Sequence, residues 1–222
     1  MNAETTLAEL ATTWPAASRI LHRHGLDFCC GGARSLREAC DERGLEATAV
    51  LDEIATDGTT ADGVDWSTRP LGELIDFVVE HYHARLREEL PDLLRLAVKV
   101  EERHGHRDDA PIGLADHLRM VHAAVLEHLE KEERVLFPMI RQGMGPRASA
   151  PVRAMEHEHD DHATNLRRIR ALTDDLTLPA DACKSWQALY LRLTQLELEL
   201  MEHIHLENNL LFPRALRDRW ED

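Results

Sequence analysis

The chain has 222 residues, with 26 Lys and Arg against 41 Asp and Glu, a formal charge of −15 with histidine neutral. An acidic balance of this size argues against tracking a phosphate backbone, which takes a basic face that displaces condensed counterions, so no nucleic acid partner is expected. Hydrophobic residues at 43% and charged residues at 30% are ordinary globular composition. No run approaches the roughly 18 apolar residues that span a bilayer, and the start MNAETTLAELATTW lacks a basic stretch followed by an apolar one, so no membrane is expected and the expected compartment is the cytoplasm.

Residues 1–60 read as a small helical domain. Thr6 to Glu9 and Ser35 to Glu38 both fit the S/T-x-x-E capping box, Gly44 stands where the second helix would end, and Leu45 to Ala55 begins a third. The polar, glycine-bearing stretch Thr56–Gly63 reads as a linker, which puts a second domain at 66–222. The cysteines, at 29, 30, 40 and 183, make no spaced disulfide framework.

In the second domain four long segments carry helical periodicity, separated by Gly, Pro and Asp clusters near 104–111, 143–151 and 174–181, and strand signals are absent. The first stripe runs Leu71, Ile75, Val79, His83, Leu86, Leu90, Leu93; the second Leu114, Leu118, Val121, Val125, His128, Glu132, Val135, Met139. The third runs Val152, Met155, His159, His162, Leu166, Ile169, and the fourth Trp186, Leu189, Leu193, Leu196, Leu200, His203, Glu207, Leu210. A shift of 75 superposes His128, Glu132 and Leu136-Phe137-Pro138 on His203, Glu207 and Leu211-Phe212-Pro213, and a shift of 76 superposes Glu80-His81-x-His83 on Glu156-His157-x-His159. A helical hairpin has been duplicated, and two such hairpins bury four stripes as an up-down-up-down four-helix bundle, so the expected fold is all-α.

At 1.5 Å rise per residue, His83, His128, His159 and His203 stand at comparable distances from the connecting loops and share one layer. Histidine and glutamate at i and i+4 face the same way, so His128 with Glu132 and His203 with Glu207 each form a two-ligand pair. A bare buried carboxylate costs several kcal/mol or neutralises, and a cation resolves the conflict. Two metal ions bridged by Glu132 and Glu207, each also taking two histidines, would satisfy all six groups and leave room for water, oxo or a small diatomic ligand. Mixed imidazole and carboxylate ligation with open positions favours non-haem iron over closed zinc, with manganese a second ion that the same donors suit. His162 lies on the stripe but breaks the repeat, which assigns it a core, channel or supporting place. His81, His157 and His205 sit beside the stripe. Glu158, next to His159, reads as a proton carrier or a solvated helix residue, with the solvated reading slightly preferred.

The bundle is similar to a hemerythrin-like domain. Together, LDFCCGG at 26–32, EHLEKEERVLFPMIRQGMG at 127–145 and HIHLENNLLFPRAL at 203–216 resemble the repair-of-iron-centres family of iron-sulfur cluster repair di-iron proteins over nearly the whole chain. The resemblance implies an oxo- or hydroxo-bridged pair of iron ions held by His83, His128, Glu132, His159, His203 and Glu207. It further implies restoration of clusters damaged by nitric oxide or oxidants, with damaged iron-sulfur proteins or their scaffolds and nitric oxide as partners, and a homodimer. Within it, Cys29 and Cys30 read as a redox or iron-transfer pair with His22 and His24 nearby, against the alternative of two small buried hydrophobes; their adjacency allows only a strained disulfide ring, and Gly31 and Gly32 free the backbone beside them. Three functional classes follow: an iron donor, a di-iron oxidoreductase acting on nitric oxide or peroxide, and an oxygen-binding or sensing hemerythrin.

Overall fold

The computed structural model describes residues 1–14, 16–57 and 65–217, so most of the expected linker Thr56–Gly63 lies outside the described residues. Helices form the whole architecture. Among the described residues there is no strand, only an isolated antiparallel bridge between Thr6 and Ser35.

The amino-terminal domain packs α1 (Leu7–Thr13), α2 (Ala17–Arg23), α3 (Leu36–Arg43) and α4 (Ala47–Thr56) around Leu10, Ile20, Leu21, Phe28, Leu36 and Val50. The Thr6 hydroxyl accepts from the Glu9 N–H at 3.2 Å. Ser35 and Glu38 close the reciprocal box, and Gly44 ends α3 at φ +66°, a left-handed conformation that glycine adopts without a Cβ penalty. The helix α2 carries no marker in the sequence, because Ala16 stands at its start and no side chain caps it.

The bundle follows as four antiparallel rods. Leu71–Phe77, a π-helical stretch Val78–His83 and Ala84–His104 run on as α5; Leu114–Lys131, a π stretch Glu132–Leu136 and Phe137–Arg141 form α6. Ser149–Leu172 is α7, and Lys184–Leu206 with a π stretch Glu207–Leu211 and Phe212–Arg217 is α8. α5 packs on α6 and α8, and α6 on α7.

The π stretches correct the expected stripes. In each, one N–H reaches back five residues: Ala84 to the carbonyl of Val79, Phe137 to that of Glu132, and Phe212 to that of Glu207. In α6 the extra residue rotates the inner face by one position. Val135, expected inside, is half exposed, and Leu136, Phe137 and Ile140 are buried instead. In α5, likewise, Leu71 and Val79 are only partly buried and Leu74, Val78 and Tyr82 face the core. The third and fourth stripes are buried as expected.

The two domains lock together through polar contacts between α2, α7 and α8. His22 Nε2 lies 2.9 Å from Glu197 Oε2, and the same carboxylate accepts from Arg170 Nε at 2.7 Å. Burial alone would raise the Glu197 carboxyl, but His22 and Arg170 outweigh it and hold it below the ordinary range. Gly32 sits so close to the Phe28 carbonyl, Ala8 and Asn209 that a Cβ would lie within 3.1 Å of all three, so the CCGG loop needs glycine there for close approach.

Candidate metal centre

Six side chains converge in one layer at mid-bundle. His83, His159, His203, Glu132 and Glu207 have no exposed surface, and His128 is 1% exposed. They form two overlapping groups of donor atoms, His83, Glu132, His203 and Glu207 on one side and His128, Glu132, His159 and Glu207 on the other, each group within 4.8 Å. Both glutamates belong to both groups.

The π stretches place the carboxylates. Glu132 and Glu207 are each the first residue of a widened turn, and Pro138 and Pro213 follow six residues on. A proline has no N–H and its ring crowds the carbonyl four residues back, so a wider turn ahead of it relieves both problems.

The geometry fits cations and little else. His83 Nε2 and His203 Nε2 are 3.1 Å apart, and His128 Nε2 and His159 Nε2 are 3.2 Å apart. Two nitrogens bound at right angles to one ion at about 2.1 Å are about 3 Å apart. Glu207 presents Oε1 to His203 Nε2 at 3.1 Å and Oε2 to His159 Nε2 at 3.2 Å, while Glu132 Oε2 lies 3.5 Å from His83 and 3.4 Å from His128. Among the described residues, none of the four oxygens of Glu132 and Glu207 is met by a hydrogen bond, which is costly for buried polar atoms. Burial and the neighbouring Glu207 push Glu132 far above the usual carboxylate range, whereas His203 and His159 overcome burial to hold Glu207 below it. By themselves the two glutamates therefore share one charge; a pair of divalent ions would let both ionise.

Two of the imidazoles are held neutral by their surroundings. Burial, reinforced by His203, brings His83 down to about 4, and burial with His159 takes His128 well below its ordinary range. Hydrogen bonds on the far nitrogens fix three tautomers: Nδ1 of His83 donates to Glu133 at 2.8 Å, Nδ1 of His128 to Glu158 at 2.9 Å, and Nδ1 of His159 to Asn208 at 2.8 Å. Each leaves Nε2 with its lone pair pointing into the layer. Nδ1 of His203 has no hydrogen-bond partner among the described residues, and Tyr82 stacks on that ring at 5.6 Å.

Glu158 is half-buried rather than simply solvated: it joins His128 to Lys131 Nζ, 2.8 Å away. Glu133, Asn208 and Tyr82 escaped the sequence reading, although the duplication carried a signal, since the shift of 75 takes Glu133 onto Asn208 and the shift of 76 takes Tyr82 onto Glu158. His162 is buried edge-on against His128, both its nitrogens without a hydrogen-bond partner, and burial brings it to about 4. His81 and His157 are exposed. His205 is buried, its Nδ1 donating to the Phe28 carbonyl at 3.3 Å.

The cysteine loop lies directly on this layer. Cys30 Sγ is 3.9 Å from the His159 carbonyl, and Asn208 and Asn209 Nδ2 donate to the Cys29 carbonyl at 3.4 and 3.2 Å. The thiols are free, with Cys29 buried and Cys30 half-buried. Cys30, burial and Asp27 all push the Cys29 thiol well above its ordinary range. His22 and His24 turn instead to Glu197 and Glu53. Cys40 is buried in the amino-terminal core, and Cys183 Sγ is 3.2 Å from His104 Nε2.

This arrangement has known counterparts. Residues 74–215 match the hemerythrin HHE cation binding domain, and residues 3–57 match a domain of unknown function, DUF542. The iron-sulfur cluster repair protein YtfE of Dickeya chrysanthemi is 45% identical over 217 residues, covering 96% of this chain and 97% of that protein. The chain belongs to the iron-sulfur cluster repair family. A probable iron-sulfur cluster repair protein of Haemophilus influenzae is 43% identical over 220 residues, 98% of this chain and 99% of that one. The repair family and its hemerythrin-like, all-helical bundle are therefore those expected from the motifs, and the cation-binding domain spans the six-residue layer. No helix among the described residues is long and apolar enough to cross a membrane.

Proposed function

We propose that the layer holds two iron ions, with His83 and His203 on one, His128 and His159 on the other and Glu132 and Glu207 bridging, and that this iron is cargo supplied to damaged iron-sulfur proteins in the cytoplasm. The observation that carries the reading is the pair of four-residue groups sharing both buried glutamates. Nitrogen and carboxylate donors suit ferrous iron and hold it less tenaciously than a thiolate cage, which a donor requires. The relatives are named for cluster repair, and the similarity covers 96% to 98% of this chain. When bound, the iron pair also supplies a place where nitric oxide can coordinate.

The chain's own residues govern retention and exit. Glu133, Glu158 and Asn208 orient the imidazoles, Phe137 and Phe212 stack on His83 and His159 and exclude water, and the Cys29–Cys30 pair stands beside His159 as the exit path or redox partner. Protein purified without oxygen, assayed for metal and then given nitric oxide in steps with a reductant, tests this. The expected result is about two irons per chain, little nitrous oxide and iron leaving for a cluster acceptor. Nitrous oxide far beyond the protein concentration with iron retained would make the chain an oxidoreductase instead.

A further inference from the structure

The cysteine loop carries an arrangement that the layer does not use. We infer that Asp27, Cys29 and Cys30 form a second, separate cation site for a thiophilic divalent ion. Their donor atoms all lie within 4.8 Å of one another. The two sulfurs are 3.7 Å apart, and two thiolates about 2.3 Å from one tetrahedral ion are about 3.8 Å apart. Asp27 Oδ1 is 3.2 Å from Cys29 Sγ and accepts from the backbone N–H groups of Cys29 and Cys30 at 3.1 and 2.9 Å. The loop therefore brings the carboxylate to the thiols before any ion arrives. Adjacent thiols alone cannot close a tetrahedral shell; Asp27 supplies the third donor.

The surroundings separate this site from the buried layer. Cys29 and Asp27 line a cavity of about 250 Å³ between the domains, which opens on Arg43 and Arg167. The fourth position is left to water or an added anion. Asp27 and Cys30 are half-buried, so an ion here is reachable through them, while the six donors of the layer have almost no exposed surface. Binding releases the two thiol protons and changes no oxidation state. Identifying the natural ion as Fe²⁺ in transit from the layer rests on the proposed function; the site itself does not.

The test uses the full chain with its layer loaded with ferrous iron, kept reduced, and titrated with Co²⁺ without oxygen. Ligation by thiolate produces a sulfur-to-cobalt charge-transfer band that imidazole and carboxylate donors cannot. One Co²⁺ per chain with that band is expected, lost in Cys30→Ser and weakened at least about tenfold in Asp27→Asn. Asparagine keeps the oxygen that accepts from Cys29 and Cys30, so the loop remains folded in that variant. The band should persist in Cys183→Ser, which removes the thiol beside His104. No band, or one unchanged by Asp27→Asn, would overturn the site. The band needs no repair partner: its absence leaves the donor reading to an iron-transfer assay, and iron retained through repair overturns that reading while leaving the site.

Discussion

His159 is tied to the amino-terminal domain through one side chain: its Nδ1–H donates to Asn208 Oδ1 at 2.8 Å, and Asn208 Nδ2 donates to the Cys29 carbonyl at 3.4 Å. A residue of the inner layer and the cysteine loop therefore share a hydrogen-bonded partner. Removing such a partner typically weakens metal binding ten- to a hundredfold, because the ring loses its orientation and part of its basicity. Asn208→Ala should do this at the His128 and His159 position, and Asn208→Asp, which keeps the acceptor, should restore most of it. Competition with a chromophoric chelator measures both; equal affinity in Asn208→Ala would refute the role.

The duplication is imperfect where it matters for iron loss. Tyr82 stands where the repeat would place a counterpart of Glu158, so His128 has a carboxylate acceptor and His203 has none. The ion on His83 and His203 should leave first, giving two phases of one iron each when a chelator is added. Glu158→Leu should bring the slower phase toward the faster. A single phase in the native chain would show that this asymmetry is without effect.

Replacing Glu207 or Glu132 by leucine removes a carboxylate shared by both donor groups from a fully buried position. Most bound iron should be lost while the helical spectrum is kept. The metal-free variant should be as stable as the metal-free parent or more so, by about 1 to 3 kcal/mol, because a buried carboxyl without a hydrogen-bond partner has been replaced by an apolar group. Iron analysis and thermal unfolding check this, and full iron occupancy in either variant would be the contrary result.

Burial brings His162 and His205 down to about 4, against 6.5 for an ordinary imidazole. Between pH 6.5 and 4 the unfolded chain therefore binds protons that the folded chain refuses, so the metal-free protein should lose stability as pH falls through that window. Each group contributes up to about 3 kcal/mol at the acid end. Thermal melts at pH 7, 5.5 and 4.5 should show the decline, and His162→Leu should make it shallower. An unchanged slope in that variant would place the acid sensitivity elsewhere.

The layer was legible because burying two carboxylates and four imidazoles leaves a mark in the sequence: polar residues on otherwise apolar stripes, repeated at the same spacing. What lay beyond reach was local. A stripe read at 3.6 residues per turn cannot show a π turn, so Val135 was placed inside and Leu136 was not, although Pro138 six residues after Glu132 was the physical reason for it. The Nδ1 partners Glu133 and Asn208 are hidden because each directly follows Glu132 or Glu207 and reads as an ordinary helix residue. The docking of the cysteine loop depends on single contacts such as Asn209 to Cys29 and the close approach at Gly32, for which helical periodicity has no signature.

The most direct test of the iron-donor account labels the layer's iron with a distinguishable isotope and mixes the protein, without oxygen, with a cluster enzyme damaged by nitric oxide. The account predicts that enzyme activity returns as labelled iron leaves this chain and appears in the rebuilt cluster. Activity that returns while the label stays with His83, His128, Glu132, His159, His203 and Glu207 would contradict it.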